Sequence, residues 1–293
     1  MGSRAFAEAS QLEQRLISTL VDNIAEPVPE TVYHYTTLPG AHGILESGSI
    51  WASDMRFLND RREWIHAIDL AAQTVRETEG VPVDLADSLL RVTEDLDYTR
   101  SFVACFSSDG DSLPQWRAYS QRGCALGFDT VRLSKLASEY PGSGMFVPVV
   151  YDEAEQRTIL RHVVELISTH FQDSTPTSGD LVFSAGMFTK ILTVYSPALK
   201  DPSFESEREW RLILGVPDPG GPAFRFRATG GAIVPYLSVR LSVEGTSILP
   251  SHVTIGPSPE PELVGEGVKQ MIESLGASGV VVDPSKVPFR DWS

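Results

Sequence analysis

Cysteine, basic residues and long apolar runs are all scarce in this chain of 293 residues. Its two cysteines, Cys105 and Cys124, are too few for a disulfide framework, so we expect reduced, buried thiols. No stretch approaches the roughly 18 consecutive apolar residues of a membrane span, and the N-terminus lacks the basic and apolar regions of a secretion signal. These absences predict a cytoplasmic protein that does not act at a membrane.

The scarcity of basic residues gives a strongly acidic balance. Lys and Arg number 24 against 39 Asp and Glu, for a formal net charge of −15. This balance argues against a broad electropositive surface for non-specific nucleic-acid binding, and it leaves room for a small local basic site. The composition is otherwise ordinary, with 42% hydrophobic and 22% charged residues, enough apolar material for a core in one large domain or two small ones.

Apolar periodicity predicts a mixed α+β fold. Residues 1–30 are predicted as an N-terminal helix packed on the core, because apolar residues recur there at helical spacing until Pro27 and Pro29. Residues 31–293 are predicted as a single domain with a helical insert at about 60–97. Helices are expected over residues 39–47, 60–78, 83–96, 153–170, 181–195 and 261–275. Strands are expected over residues 31–36, 50–52, 101–107, 123–128, 145–151, 208–214, 223–227, 233–241, 252–255 and 279–282.

The segment at residues 204–214 carries the most informative charge pattern. If it is a strand, its period of two places Glu207, Glu209 and Arg211 on one face, opposite Trp210 and other core residues. The charged face then either lines a cleft or forms the solvated face of an edge strand, with Arg211 bridging the carboxylates. Both interpretations remain open at this point.

Two earlier segments carry further candidates. A predicted strand bears Tyr33-His34-Tyr35-Thr36, although a lone strand histidine is usually structural. Cys105-Phe106-Ser107 ends another strand, and Ser112 and Gln115 fit a helix N-terminus in which Gln115 caps back onto Ser112. Trp116 and Tyr119 then share one helical face, where large aromatic residues are more often core than ligand contacts.

Together these motifs resemble a bacterial family known as domain of unknown function 2971. Its members show Y-H-Y-T, F-x-N-D-x-x-E, C-F-S, W-x-x-Y and E-x-E-W-R, which here occupy residues 33–36, 57–63, 105–107, 116–119 and 207–211. The resemblance runs in order from about residue 32 to residue 255. The family in turn resembles the ADP-ribosyltransferase fold, which implies a mixed, mostly antiparallel split β-sheet core with helical inserts.

The resemblance implies an NAD site, with NAD as a substrate and no metal. His34 and Thr36 would hold the adenosine ribose, Ser107 would support the site, and Tyr119 would pack against nicotinamide. Glu209 would bond the 2′-hydroxyl of the nicotinamide ribose, and Glu207 would orient the acceptor. The full set of candidates is Glu209 and Glu207 as catalytic residues, with His34, Tyr35, Thr36, Arg56, Ser107, Trp116, Tyr119 and Arg211 as NAD-binding residues.

Several of these assignments have competing interpretations. Arg56 or Arg211 could meet the pyrophosphate bidentately, but a salt bridge from Arg211 to a neighbouring glutamate is an equal alternative. Ser107, Gln115, Trp116 and Tyr119 compete for the central position of the transferase pattern. Asn59, Asp60 and Glu63 fit a capped helix start better than a catalytic role.

The expected function is transfer of ADP-ribose from NAD to a protein, nucleic acid or small molecule, or NAD hydrolysis. Relatives of this fold imply a bacterial toxin or antiphage effector, with a neutralising antitoxin as a possible partner. The alternatives are a non-catalytic nucleotide or nucleic-acid binding module and a purely structural interaction protein. No dinucleotide-binding glycine motif, phosphate loop, nucleophile elbow or His-Glu-x-x-His motif occurs in the sequence, so metal catalysis and a serine hydrolase elbow lack support.

Overall fold

The computed structural model describes residues 28–58, 61–95, 100–120, 122–141, 143–169, 176–215, 225–229 and 231–288. Its strands are β1 Thr31–Thr36, β2 Ser49–Asp54, β3 Ser101–Ser107, β4 Cys124–Asp129, β5 Gly144–Pro148, β6 Glu209–Gly215, β7 Arg225–Ala228, β8 Ile233–Arg240, β9 Ser242–Val243, β10 Thr246–Ser247, β11 His252–Ile255 and β12 Val281–Pro284. Its helices are α1 Leu38–Ser47, α2 Arg61–Glu77, α3 Val83–Asp95, α4 Thr130–Ser138, α5 Glu153–Thr169, α6 Ser178–Tyr195 and α7 Pro261–Ser274. The predicted α+β class is therefore confirmed. The helix predicted within residues 1–30 falls mainly on residues 1–27, which lie outside the described residues, as do Asn59 and Asp60.

Ten strands form one largely antiparallel open sheet. Its order is β12-β11-β4-β1-β3-β2-β8-β7, and β6 pairs with both β3 and β5. β1 pairs with β4 along all of its residues, whereas β1 and β3 are paired at Tyr33 and Ser107. This pairing brings the first predicted motif beside the end of the strand that carries Cys105 and Ser107.

Local capping explains where several helices begin and end. Thr37 accepts a hydrogen bond from the Gly40 amide at the start of α1, and Gly48 ends that helix in the left-handed region at φ 58°. Asp129 caps α4 through the Arg132 amide at 2.8 Å, and Thr177 with Asp180 forms a capping box at α6. The sequence pattern predicted α1 and α6, whereas it missed α4.

The chain divides into two compact units. Within its described part, the first comprises Asp54–Ser101 and Val149–Ser203, and it is helical: α2 packs on α3 and α5, and α6 packs on α3. Its interior includes the fully buried Gln156, whose amide donates to the carbonyls of Val150 and Lys200. These contacts satisfy a polar group that would otherwise be costly to bury.

The second unit contains the sheet and the predicted site. Its described residues fall within the ranges 28–53, 102–148 and 204–288. Helix α4 packs on β5, and α7 packs on β12. Aromatic rings link the strands in its core, since Phe106 contacts both Phe128 and Phe146, and Phe146 contacts Trp210. This packing fixes β3 and β6, the strands from which the candidate residues project.

Candidate functional site

The end of β3 is bound to the turn that precedes β6. The Ser107 hydroxyl donates to the Glu207 carbonyl at 2.8 Å and accepts from the Asp109 amide at 3.1 Å. The Ser108 amide donates to the Arg208 carbonyl at 3.0 Å. Ser107 therefore positions the backbone immediately before Glu209.

Glu207 is the point on which three candidate side chains converge. Besides the Ser107 bond, the Gln115 amide donates to the Glu207 carbonyl at 3.3 Å. The Tyr119 hydroxyl lies 3.5 Å from Glu207 Oε1, and the Tyr119 side chain is 36% exposed. The Tyr119 ring and the Glu207 carboxylate therefore lie side by side at the surface of the second unit.

Glu207 does not lie on the strand face where the charge pattern placed it. It ends a short 3₁₀ turn, Pro202–Glu207, and the strand begins only at Glu209. Arg208 between them has φ 45°, in the left-handed region that few side chains adopt, and this breaks the alternation of faces. The prediction of Glu207, Glu209 and Arg211 on one strand face is therefore wrong for Glu207.

Glu209 and Arg211 form a buried ion pair. Arg211 Nη2 donates to Glu209 Oε2 at 2.7 Å, and the two side chains are 5% and 1% exposed. The solvated edge-strand interpretation is wrong, because β6 has a neighbour on each side. The alternative use of Arg211, a salt bridge to a nearby glutamate, is the one present, and it holds the Glu209 carboxylate in a fixed orientation.

His34 lies on β1 with its ring turned to the backbone of β3. Its Nδ1 lies 2.8 Å from the Cys105 carbonyl oxygen, and the ring contacts Phe106. A carbonyl only accepts, so Nδ1 carries the proton in this contact. Burial lowers the pKa of His34, the Cys105 bond opposes that shift, and the nearby charge of Arg227 lowers the pKa further. A neutral ring then presents Nε2 as an acceptor.

Tyr35 and Trp116 serve the packing of the site. They form a core cluster with Ala125, their ring centroids 4.6 Å apart. The Tyr35 hydroxyl donates to the Asp109 carbonyl and accepts from the Ser112 amide, which holds the loop after β3. Burial is the main cause that raises the pKa of Tyr35. Half-buried Thr36 ends β1 opposite Cys124.

Two predictions about the segment at 112–119 are wrong. Gln115 does not cap back onto Ser112, because its amide is engaged by the Glu207 carbonyl and Ser112 makes no side-chain cap. Trp116 and Tyr119 do not share a face. Trp116–Ser120 is a π-helical turn, which has more residues per turn than an α-helix, and it leaves Trp116 buried and Tyr119 exposed.

Arg56 belongs to the first unit, where it pairs with buried Asp54. Its Nε and Nη2 donate to the two carboxylate oxygens of Asp54 at 3.0 and 2.7 Å. The bidentate geometry predicted for a pyrophosphate is thus present toward a carboxylate. The nearby motif residue Glu63 falls in helix α2, as the helix-start interpretation expects.

A group that the sequence did not reveal lies on β2, β7 and β8. The rings of Trp51 and Tyr236 stack with centroids 4.5 Å apart. The Arg227 guanidinium lies 5.5 Å from the Trp51 ring centre and 6.0 Å from that of Tyr236. These residues are distant in sequence, and only the antiparallel pairing of the three strands brings them together.

A comparison with family models gives one finding. Residues 115–212 match a family described as a protein of unknown function (DUF2971). The match covers about a third of the chain and includes the motifs at 116–119 and 207–211, which supports the resemblance to that family over this stretch. Neither the curated proteins nor the solved structures give a match to the chain.

Metal-ligand clusters and membrane-spanning helices are both absent from the described residues. Within the described ranges, no group of three or more His, Cys, Asp or Glu side chains is placed to hold a metal ion. In the same part of the chain, no helix combines the length and apolar character needed to cross a membrane. Neither cysteine forms a disulfide. Cys124 is buried and Cys105 is half-buried, and burial raises the pKa of Cys124 to about 12.

Proposed function

We propose that this chain is an ADP-ribosyltransferase-like enzyme that cleaves the nicotinamide glycosidic bond of NAD, with Glu209 as its catalytic carboxylate. The observation that supports this most is the convergence of Ser107, Gln115 and Tyr119 on the turn that leads into Glu209. A salt bridge on β6 with a solely structural role would not require an exposed tyrosine, Tyr119, beside a second carboxylate, Glu207.

The chemistry fits a fixed, buried carboxylate. Departure of nicotinamide leaves an oxocarbenium-like ribose, and an oriented negative charge stabilises the positive charge that develops there. Arg211 holds Glu209 at 2.7 Å, so little reorganisation is required as the bond breaks. The electron pair of the glycosidic bond leaves with nicotinamide, and the sugar carbon is then captured by water or by an acceptor hydroxyl or amine.

The remaining side chains have roles that match their surroundings. His34 Nε2 accepts a hydrogen bond from a ribose hydroxyl, because Nδ1 is committed to the Cys105 carbonyl. The partly exposed Tyr119 ring packs on nicotinamide. Glu207, at 3.5 Å from the Tyr119 hydroxyl, receives the proton of the incoming nucleophile. Tyr35 holds the loop after β3 through Asp109 and Ser112, and Trp116 packs on the Tyr35 ring.

The test is release of nicotinamide from NAD by the purified full-length chain, followed by chromatography. Glu209→Gln is expected to lower the rate by about 100-fold or more, the usual loss when a preorganised charge at a transition state is removed. Glu205→Gln is the matched control, an exposed glutamate of the adjacent turn, and its rate should stay within about twofold of the wild type. Full activity in Glu209→Gln would refute the assignment.

A stability control is required because the pair is buried. Removing one partner of a buried ion pair costs about 3–5 kcal/mol, whereas replacing both with well-packed hydrophobic residues of similar volume is often nearly neutral. Glu209→Leu/Arg211→Met should therefore unfold at a temperature near that of the wild type and still release no nicotinamide. If the double variant is folded and active, the carboxylate has only a structural role.

A second candidate, a non-catalytic nucleotide or nucleic-acid binding module, is favoured by the Trp51, Tyr236 and Arg227 group. It predicts retained binding of nucleotide with no nicotinamide release, and no effect of Glu209→Gln on that binding. The same assay therefore separates the two candidates.

A further inference from the structure

One face of the strands β2, β8 and β7 combines arginines with an exposed indole. Alternation along the strands and the pairing of Trp51 with Ser238 and of Arg225 with Tyr236 place these side chains on one side. The residues that share this basic–aromatic face are Ser49, Trp51, Ser53, Arg225, Arg227, Val234, Tyr236, Ser238 and Arg240. Its strand positions include three arginines and no carboxylate.

The charge of this face contrasts with the chain as a whole. The net charge is −15, yet Arg225 and Arg240 are exposed here and Arg227 is half-buried. In the described part of the chain, neither Arg225 nor Arg227 forms a salt bridge with an acidic residue. Local positive charge of this kind attracts a polyanion that the acidic remainder of the surface would repel.

The aromatic component distinguishes between kinds of polyanion. Trp51 is 47% exposed although Tyr236 covers part of its ring and Arg227 lies over it. A half-open indole beside a guanidinium is a platform on which an unpaired base stacks while its phosphate meets the arginine. A duplex keeps its bases stacked on one another, and a lipid surface offers no base at all.

We propose that the basic–aromatic face binds single-stranded nucleic acid, with a base on Trp51 and adjacent phosphates on Arg225 and Arg227. Binding here does not depend on the NAD chemistry. The added inference, that this strand is the acceptor for ADP-ribose, rests on the proposed function. It is supported by the order of the sheet, in which β2, the strand of Trp51, is the neighbour of β3, the strand of Ser107.

The test measures fluorescence anisotropy of a labelled oligothymidine of about 12 nucleotides with the full-length protein, in the absence of NAD. Binding is expected at about 50 mM salt and should weaken steeply by about 200 mM. Arg225→Gln/Arg227→Gln should weaken binding at least about tenfold and reduce the salt slope by about 1.4, since each phosphate contact on a single strand contributes about 0.7. Trp51→Ala should weaken binding by about fivefold to 100-fold, and Trp51→Phe by less.

Arg91→Gln/Arg161→Gln is the matched control, because it removes the same charge from two exposed helical positions. The control should bind as the wild type does, and circular dichroism should show that all variants are folded. The proposal is overturned if the wild type does not bind the oligonucleotide at low salt, or if the control loses as much affinity as the face variant. Equal binding to a duplex or to vesicles containing phosphatidylserine would also overturn it. A negative result with normal nicotinamide release would leave the NAD proposal standing.

Discussion

His34 illustrates how the surroundings of one residue set its chemistry. Burial is the largest influence on its pKa and lowers it, and the charge of Arg227 acts in the same direction. The Cys105 carbonyl fixes the proton on Nδ1 and turns Nε2 into an acceptor. A neutral ring of this tautomer suits a ribose hydroxyl better than a phosphate, which a protonated ring would prefer.

The lowered pKa of His34 predicts a pH effect on stability. Its folded-state pKa lies below the unfolded value of about 6.5, so between these two values the unfolded chain binds more protons. Stability should therefore fall as pH decreases through about 6.5, and His34→Gln removes this contribution. Urea unfolding of both proteins between about pH 7.5 and 5.5 should show their free-energy difference shifting in favour of the variant as pH falls. A difference that does not vary with pH would contradict this.

At the scale of strands and helices, local pattern predicted most elements. β1, β3 and β11 have the predicted bounds, because runs of β-branched and aromatic residues are bounded by turn residues there. Helix α4 was missed, since it follows β4 without a connecting loop and Asp129 is at once the last strand residue and the helix cap. The positive φ of Arg208 is also absent from any sequence pattern, and Glu207 was misplaced for that reason.

Pairing between distant strands explains what else the sequence could not reveal. His34, Ser107, Tyr119 and Glu209 became candidates because each belongs to a short sequence motif. Trp51, Arg227 and Tyr236 belong to none, and they meet only because β2 and β7 both pair with β8. Such a group follows from register, which local periodicity does not specify.

Close backbone packing between elements predicts the effect of a single methyl group. A Cβ on Gly123, just before β4, would lie 1.9 Å from the Thr36 carbonyl oxygen and 2.6 Å from Thr37 Cα. Backbone atoms cannot move aside as a flexible side chain can, so Gly123→Ala should cost about 3 kcal/mol or more in urea unfolding. Gly186→Ala in α6 is the control, because open space surrounds it and alanine should stabilise the helix by about 1 kcal/mol. Equal stability of the two variants would show that the backbone of Gly123 does not pack closely against Thr36 and Thr37.

At the scale of the whole molecule, charge separates the general surface from one face. The chain is acidic, with a sequence pI of about 4.8, so most of its surface repels polyanions. A protein with a broadly basic surface would instead bind them non-specifically. A confined group of arginines beside an indole then provides recognition through both charge and stacking. The same balance that argued against a broad nucleic-acid surface therefore favours a selective one.

The whole-molecule prediction concerns the fate of ADP-ribose. NAD labelled on its adenine ring, incubated with the purified chain and cell extract, should place label in macromolecules, because the acceptor face and the Glu209 site belong to one unit. Nuclease should release the label and protease should not if a nucleic-acid strand is the acceptor. Arg225→Gln/Arg227→Gln should lose macromolecular label while nicotinamide release persists, whereas Glu209→Gln should lose both. Label confined to free ADP-ribose would make the enzyme an NAD glycohydrolase, and protease-sensitive label would assign a protein acceptor. Either result would contradict the inference that a nucleic-acid strand on the basic–aromatic face accepts ADP-ribose.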